Sequence, residues 1–367
     1  MNQNGNRREG FNPNRLRSLY YLNIIAMCLV TIAMVLATGY FLYQNRQLTR
    51  EVNRLENEMN ELAGADKTLY TKDEIDAAVA EAEEKKETST RQDILMQIRS
   101  SLENGSSTTA TLRGLFTEEV IVSNSGQYYF YPILNSVKKN GFKSGDFQVS
   151  DSGRLSYVGG SPGVSVRMGI DVVDKAESID WALAQEDGIT FAMIKLGGFD
   201  ADGQLLLLDN VDQYLTESSD SGMDVGVVYD FGALTREEAA SQASAVVEAL
   251  EPYRDRITFP VGISISMPTE GSDAANLTKR ERTHMLIQAM DVITEAGYTP
   301  ILYGNMTGLI MLTDLDMLND YAKWLSDTSG SVYYPYDFTM WQYSEGLEVQ
   351  GIEGSVGMDL YIKRSSL

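Results

Sequence analysis

The sequence predicts an α/β fold, most of it one irregular, closed β/α barrel in the C-terminal half, and three observations point there. From Met168 onward short apolar runs alternate with amphipathic stretches of helical period, and strands separated by helices imply parallel pairing. Eight such runs fall within roughly 200 residues, a number of strands that closes a barrel. The connections ahead of the last strands are too short for full helices, so the barrel is irregular. The strand candidates are MGIDVV (168–173), TFAMIKL (190–196), DVGVVYD (224–230), TFPVGISIS (258–266), PILYG (300–304), KWLS (323–326), MWQY (340–343) and MDLYI (358–362). Helices fit Ile179–Glu186, Asp209–Ser219, Thr235–Leu250, Lys279–Ala296 and the short Leu315–Asn319. Reactive groups in such folds sit at the C-terminal ends of the strands.

Ahead of the barrel the character changes three times. From Ser18 to Asn45 there is no Asp, Glu, Lys or Arg, and Leu22–Leu42 is about twenty residues, enough to cross a bilayer as a helix. Tyr20 and Tyr21 flank one end, and Tyr40 and Tyr43 the other. Arg7, Arg8, Arg15 and Arg17 precede the segment, while Arg46, Arg50 and Arg54 follow it. The small bias favours a cytoplasmic N-terminus and an extracytoplasmic C-terminal domain. A cleaved signal peptide is the competing reading, but its apolar region is usually shorter and no clean A-x-A cleavage pattern follows. Leu48, Val52, Leu55, Met59 and Leu62 then form an a/d stripe over two heptads, short for a coiled coil but compatible with a tethered homodimer. Gly64 and Asp66 break it, and a second helical stretch runs from Lys72 to Leu102 with Ile94, Leu95, Ile98 and Leu102 on one side. Clusters such as GQYYFYPI between turn residues make 105–166 a small β-rich connector. The expected organisation is a cytoplasmic tail (1–18), a transmembrane helix (19–43), a helical stalk (44–104), the connector (105–166) and the barrel (167–367).

Charge and composition exclude several functions. The net charge is −22, and from Arg167 to Leu367 12 Lys and Arg face 33 Asp and Glu. Such a surface repels phosphate backbones, which argues against nucleic-acid binding. Cys28, inside the apolar segment, is the only cysteine, so there is no intrachain disulfide and no cysteine-based zinc site or thiol nucleophile. His284, the only histidine, lies in the polar start of a helix and is a poor member of any triad. Neither a P-loop nor G-x-G-x-x-G occurs, and DADGQ (200–204) lacks the full pattern of a calcium loop. No cofactor or metal is expected.

Eight strings then occur in a fixed order: GIDV (169–172), IDW (179–181), GITFAMIKLGG (188–198), VGVVYDF (225–231), EEAASQA (237–243), GYTPILYGN (297–305), PYDFTMWQYS (335–344) and GIEGSV (351–356). Together they resemble the family 25 glycoside hydrolases, lysozyme-type muramidases with an irregular TIM-like (β/α) barrel, over about 168–362. The anchor, stalk and connector look like those of membrane-anchored clostridial members. The resemblance implies an Asp on the first strand, Asp-x-Glu at the end of the fourth, and an Asp near the last. Asp171 matches the first. Ser264 and Ser266, on one face at i and i+2, stand where both members of the pair belong. Gly357 replaces the last Asp, and Asp359 replaces the Asn that follows; a one- or two-residue shift would instead bring Asp359 into the acid position. Asp230, ending the third strand, is the other substitute.

Glycoside cleavage needs a proton for a poor leaving group and negative charge beside an oxocarbenium-like transition state. A serine hydroxyl supplies neither, and loss of a general acid alone costs about 10²–10⁴-fold. The expectation is a muramidase-like pseudo-enzyme that binds peptidoglycan glycan strands or an envelope protein without cleaving them. An active muramidase with rearranged acids and a scaffold without glycan binding are the alternatives. Tyr229, Tyr303, Trp324, Trp341 and Gln342 lie near strand ends as ligand-binding candidates, though the tryptophans fit barrel core equally well. Lys195 ends the second strand, able to pair with Asp171 or Asp230.

Overall fold

The computed structural model describes residues 13–62, 72–143, 145–173 and 179–364. The chain divides into two compact units, Met1–Asp93 and Ile94–Leu367.

The first unit holds α1 (Pro13–Leu62), a continuous helix of 50 residues. Its described apolar side chains are exposed, among them Met27, Leu36 and Phe41. The hydroxyls of Thr31 and Thr38 donate back to the carbonyls of Met27 (2.7 Å) and Met34 (2.8 Å), which satisfies them inside the helix. The expected transmembrane helix is nonetheless unsupported: among the described residues no helix is long and apolar enough to cross a membrane. The side chains of Tyr20, Tyr21, Cys28, Met59 and Leu62 lie outside the described residues, as do Arg7, Arg8, Gly64 and Asp66. Of the expected a/d stripe, Leu48, Val52 and Leu55 are exposed. A second helix, α2 (Lys72–Glu103), ends at Asn104 and Gly105, the latter at φ 73°.

In the second unit a short helix, α3 (Thr108–Leu115), starts at Ser107, whose hydroxyl accepts from the Ala110 N–H at 3.1 Å. Two antiparallel hairpins follow, β1 (Glu119–Asn124) with β2 (Gln127–Pro132) and β3 (Phe147–Val149) with β4 (Leu155–Tyr157). They pack directly on the barrel. The Tyr333 hydroxyl accepts from Ile121 N and donates to Glu119 O. Phe147 meets Trp341 edge-on at 5.2 Å, and Arg154 pairs with Asp187.

The barrel comprises β5 (Val164–Val172), α4 (Trp181–Glu186), β6 (Phe191–Phe199), β7 (Leu205–Leu207), α5 (Val211–Asp220), β8 (Asp224–Asp230), α6 (Arg236–Leu250), β9 (Ile257–Ser264), α7 (Lys279–Glu295), β10 (Pro300–Asn305), α8 (Met306–Leu312), β11 (Lys323–Ser326), β12 (Met340–Glu348) and β13 (Ser355–Arg364). Eight strands close in the order β5, β6, β8, β9, β10, β11, β12, β13 and back to β5, with β7 hanging on β6. Pairing is parallel from β5 to β12, while β13 runs antiparallel to both neighbours. That reversal follows from the tight β12–β13 connection, which has no room for a crossover helix. Helix starts carry their own signals: Asp180 caps α4, Thr235 caps α6, and Thr278 forms a capping box with Glu281 on α7. His284 sits half-buried within α7.

The barrel interior is filled by Phe191, Met193, Val228, Phe259, Ile301, Trp324 and Met340. Phe191 stacks on Phe259 at 4.6 Å near the N-terminal end. The larger core lies between the outer face of the sheet and the helices. The packed interior closes the barrel axis, and reactive groups in this fold gather at the C-terminal mouth.

Candidate active site

Residues paired in register share a face of the sheet, so the facing of each mouth position follows from the interior cluster. Asp171 pairs with Met193 on one side and Gly357 on the other. Asp230 pairs with Ser264, and Ser264 with Tyr303. Ser326 pairs with Gln342. Lys195 lies two residues beyond Met193, on the same face. Every barrel strand thus contributes one residue to the mouth: Asp171, Lys195, Asp230, Ser264, Tyr303, Ser326, Gln342 and Gly357.

On one side of that ring is a 310 Å³ cavity lined by Asp171, Tyr303, Gln342, Glu345, Ser355 and Gly357, among others. Its polar groups form a chain. The Tyr303 hydroxyl donates to Gln342 Oε1 at 2.8 Å, which orients the amide so that Nε2 donates to Asp171 Oδ1, also at 2.8 Å. Asp171 is hydrogen-bonded in turn to Asp359. Asp359 is fully buried one layer deeper, and its Oδ1 accepts from Trp324 Nε1 at 2.7 Å. Its Oδ2 has no N–H or O–H donor, so a proton shared between the two carboxyls satisfies it. Burial first, and the neighbouring Asp171 charge second, push the Asp359 carboxyl well above the usual range. Burial also raises Asp171, opposed by its bonds to Gln342 and Asp359. Two adjacent buried carboxyls cannot both ionise cheaply, so the pair holds one proton between them.

Across the mouth Lys195 Nζ pairs with Asp230 Oδ2 at 2.8 Å. Of the two partners expected for Lys195, Asp230 is the one it takes. Ser264, half-buried, is the last residue of β9, and Ser266 is exposed just beyond it. Residues 170–352 match the sequence model of glycosyl hydrolases family 25. The barrel domain belongs to family 25.

The chain is similar to several solved structures at low identity. The modular autolysin LytC from Streptococcus pneumoniae is 19% identical with a TM-score of 0.49, over 67% of this chain and 58% of its own. That autolysin is also solved in complex with a synthetic peptidoglycan ligand. The bacterial lysozyme from Streptomyces coelicolor is 20% identical (TM-score 0.43; 54% of this chain, 92% of that one). A family 25 glycosyl hydrolase from Bacillus anthracis is 19% identical (TM-score 0.44; 55% and 89%). This chain therefore spans less than two thirds of the autolysin it matches. None of the curated proteins matches it.

Within the family 25 domain the residues singled out from sequence separate into two groups. Asp171, Tyr303, Gln342 and Gly357 meet at the cavity, with Asp359 directly beneath. Asp359 sits two residues along β13 from Gly357, paired with Gly169, and Gly357 itself stands opposite Asp171. In this register Gly357 is the residue opposite Asp171, and Asp359 reaches the same carboxylate from below. Tyr229, Trp324 and Trp341 present no ring to the cavity. Tyr229 is fully buried on the outer face of the sheet, edge-on to Phe199 at 6.0 Å. Trp341 is buried beneath the hairpins, its Nε1 donating to Asp327 O at 2.8 Å. Trp324 faces inward but lies under Tyr303, ring centres 4.2 Å apart. In MWQY, Met340 and Gln342 point in and Trp341 points out, because alternate residues of a strand face opposite ways.

Three polar mouth residues escape the sequence reading: Ser326, Ser355 and Glu345. Glu345 follows Ser344 in a stretch where the β12–β13 register slips twice, between Gln342 and Ser344 and again before Leu347. A bulge re-aims side chains, and no residue pattern announces this one. The charge of Glu345 adds to the upward push on Asp171. The only signal was its place two residues after the Tyr of WQYS.

Proposed function

We propose that this protein is a peptidoglycan-binding, catalytically degenerate family 25 member, tethered to the cell membrane by its N-terminal helix with the barrel outside the cytoplasm. The observation that carries the reading is the end of β9, where the chain has Ser264 and Ser266 and the resemblance to the family calls for the Asp-x-Glu pair. Neither hydroxyl delivers a proton to a leaving group or holds negative charge at neutral pH. The retained acid, Asp171, is engaged with Gln342 and Asp359. Meanwhile the mouth keeps a cavity lined by hydroxyl, amide and carboxyl groups, the donors and acceptors a sugar ring requires. The tether is supported by the uncharged stretch Ser18–Asn45 and by the exposed apolar side chains of α1, which need an apolar environment.

The test uses purified full-length protein and peptidoglycan. The expected result is retention of glycan strands with no solubilisation at high protein concentration. Turnover that Asp171→Asn abolishes would sink the reading. A second reading, an active muramidase with rearranged acids, is favoured by one observation: Glu345 lines the same cavity as Asp171. Turnover lost in Glu345→Gln would establish it. Failure of the full-length protein to retain glycan strands would favour an envelope scaffold instead.

A further inference from the structure

A Cβ built on Gly357 would lie 1.7 Å from Asp171 Oδ1, 2.5 Å from its Cγ and 2.8 Å from Oδ2. Those are the three nearest atoms, and all belong to the one carboxylate. Gly357 does not adopt positive φ, so the backbone at this point accepts any residue. Its strand pairing, directly opposite Asp171, is regular. Neither a turn nor a close backbone approach asks for glycine here; only the Asp171 side chain does. That carboxylate is held in the vacant space by Gln342 Nε2 at 2.8 Å, with the amide fixed by Tyr303. From below it meets Asp359, itself pinned by the Trp324 indole.

We infer that Gly357 is a positioning residue: by offering no side chain, it lets the Asp171 carboxylate turn against β13 at the cavity wall, where Gln342 and Asp359 hold it, so the one retained acid is stored rather than presented. The inference rests on the proposal that Asp171 is the family acid of a non-hydrolysing mouth, and it deepens that proposal. Loss of the last acid then disables the first as well. Any side chain at 357, an aspartate included, must expel Asp171 toward the cavity and break its bond to Gln342. Restoring Ser264→Asp and Ser266→Glu alone leaves Asp171 turned against β13 and bonded to Gln342.

A thermodynamic cycle on the full-length protein reads the contact directly: wild type, Gly357→Ala, Asp171→Ala and the double variant, each by thermal and urea unfolding. Gly357→Ala is expected to lower stability when Asp171 is present and to have much less effect in the Asp171→Ala background. Equal losses in both backgrounds overturn the inference. If Gly357→Ala fails to fold, the double variant decides: folding supports the contact, and a second failure overturns it. A readout beyond packing is the titration of Asp171, followed by carboxyl ¹³C shifts. In folded Gly357→Ala its midpoint is expected to fall toward the ordinary carboxylate range, and an unmoved midpoint counts against the idea. On peptidoglycan, Ser264→Asp/Ser266→Glu with Gly357→Ala is expected to exceed the same pair with Gly357 by roughly 10²-fold. Equal turnover in the two forms overturns the inference. Hydrolysis by the wild type would defeat the binding-without-cleavage reading, yet leave the cycle and the titration standing.

Discussion

At the scale of single residues the site is governed by where one proton sits. Asp359 binds a proton in the folded state at pH values where an unfolded aspartate, with a pKa of about 4, has lost it. The folded state therefore binds more protons throughout the window between those two values, and linkage makes stability fall as pH rises through it. This contribution is fully present below pH about 4 and lost as pH climbs through the raised value. Asp359→Asn keeps an acceptor for Trp324 and a donor for Asp171 while removing the titration. Its unfolding temperature is expected to exceed wild type at pH 7, with the gain shrinking or vanishing at pH 4. Calorimetry across that range checks it; a gain independent of pH would argue against a shared proton. The neighbouring link is testable by Tyr303→Phe, which removes the donor to Gln342 Oε1. A cost of about 0.5–1.5 kcal/mol is expected from urea unfolding, together with weaker retention of glycan strands as the amide loses its orientation.

Elements were legible where local signals were strong. β8 and β11 coincide with the expected 224–230 and 323–326, α7 starts at the expected Lys279, and α6 starts one residue after the expected Thr235. The capping box on α7 puts a number on one such signal. Thr278→Ala is expected to cost about 1 kcal/mol, read as a lowered denaturation midpoint at unchanged slope. Elements that escaped the sequence are short and depend on contacts. α8 is 7 residues capped by Asn305, and β7 is 3 residues. β7 forms because Gly197, at φ 132°, allows Leu206 O within 1.9 Å of where a Cβ would stand. The glycine was visible in the sequence; the strand that comes so close to it was not. For the same reason alternation alone did not tell which of Trp341 and Gln342 faces inward. That choice depends on the register between β11 and β12.

At the scale of the whole molecule, the β-rich segment 105–166 belongs to the same compact unit as the barrel. Tyr333, Tyr336 and Trp341 all use it as a packing or hydrogen-bonding partner. In the other unit, the sole cysteine makes the proposed tether directly measurable. Cys28 is expected to resist a membrane-impermeant maleimide in native membranes and to react fully once detergent dissolves them. Ready labelling in intact membranes would contradict the tether.

The sequence by itself determined the barrel, the order of its strands and the family, because hydrophobic period, caps and motif order are local properties of the chain. It also placed two serines, Ser264 and Ser266, around the end of β9. Only the tertiary structure decided the surroundings of Asp171. The carboxylate of Asp171 lies in the space above Gly357, bonded to Gln342 and sharing a proton with Asp359. Those partners come from three strands far apart in the chain. Their meeting depends on barrel closure and on the antiparallel register of β13, neither of which any local pattern encodes.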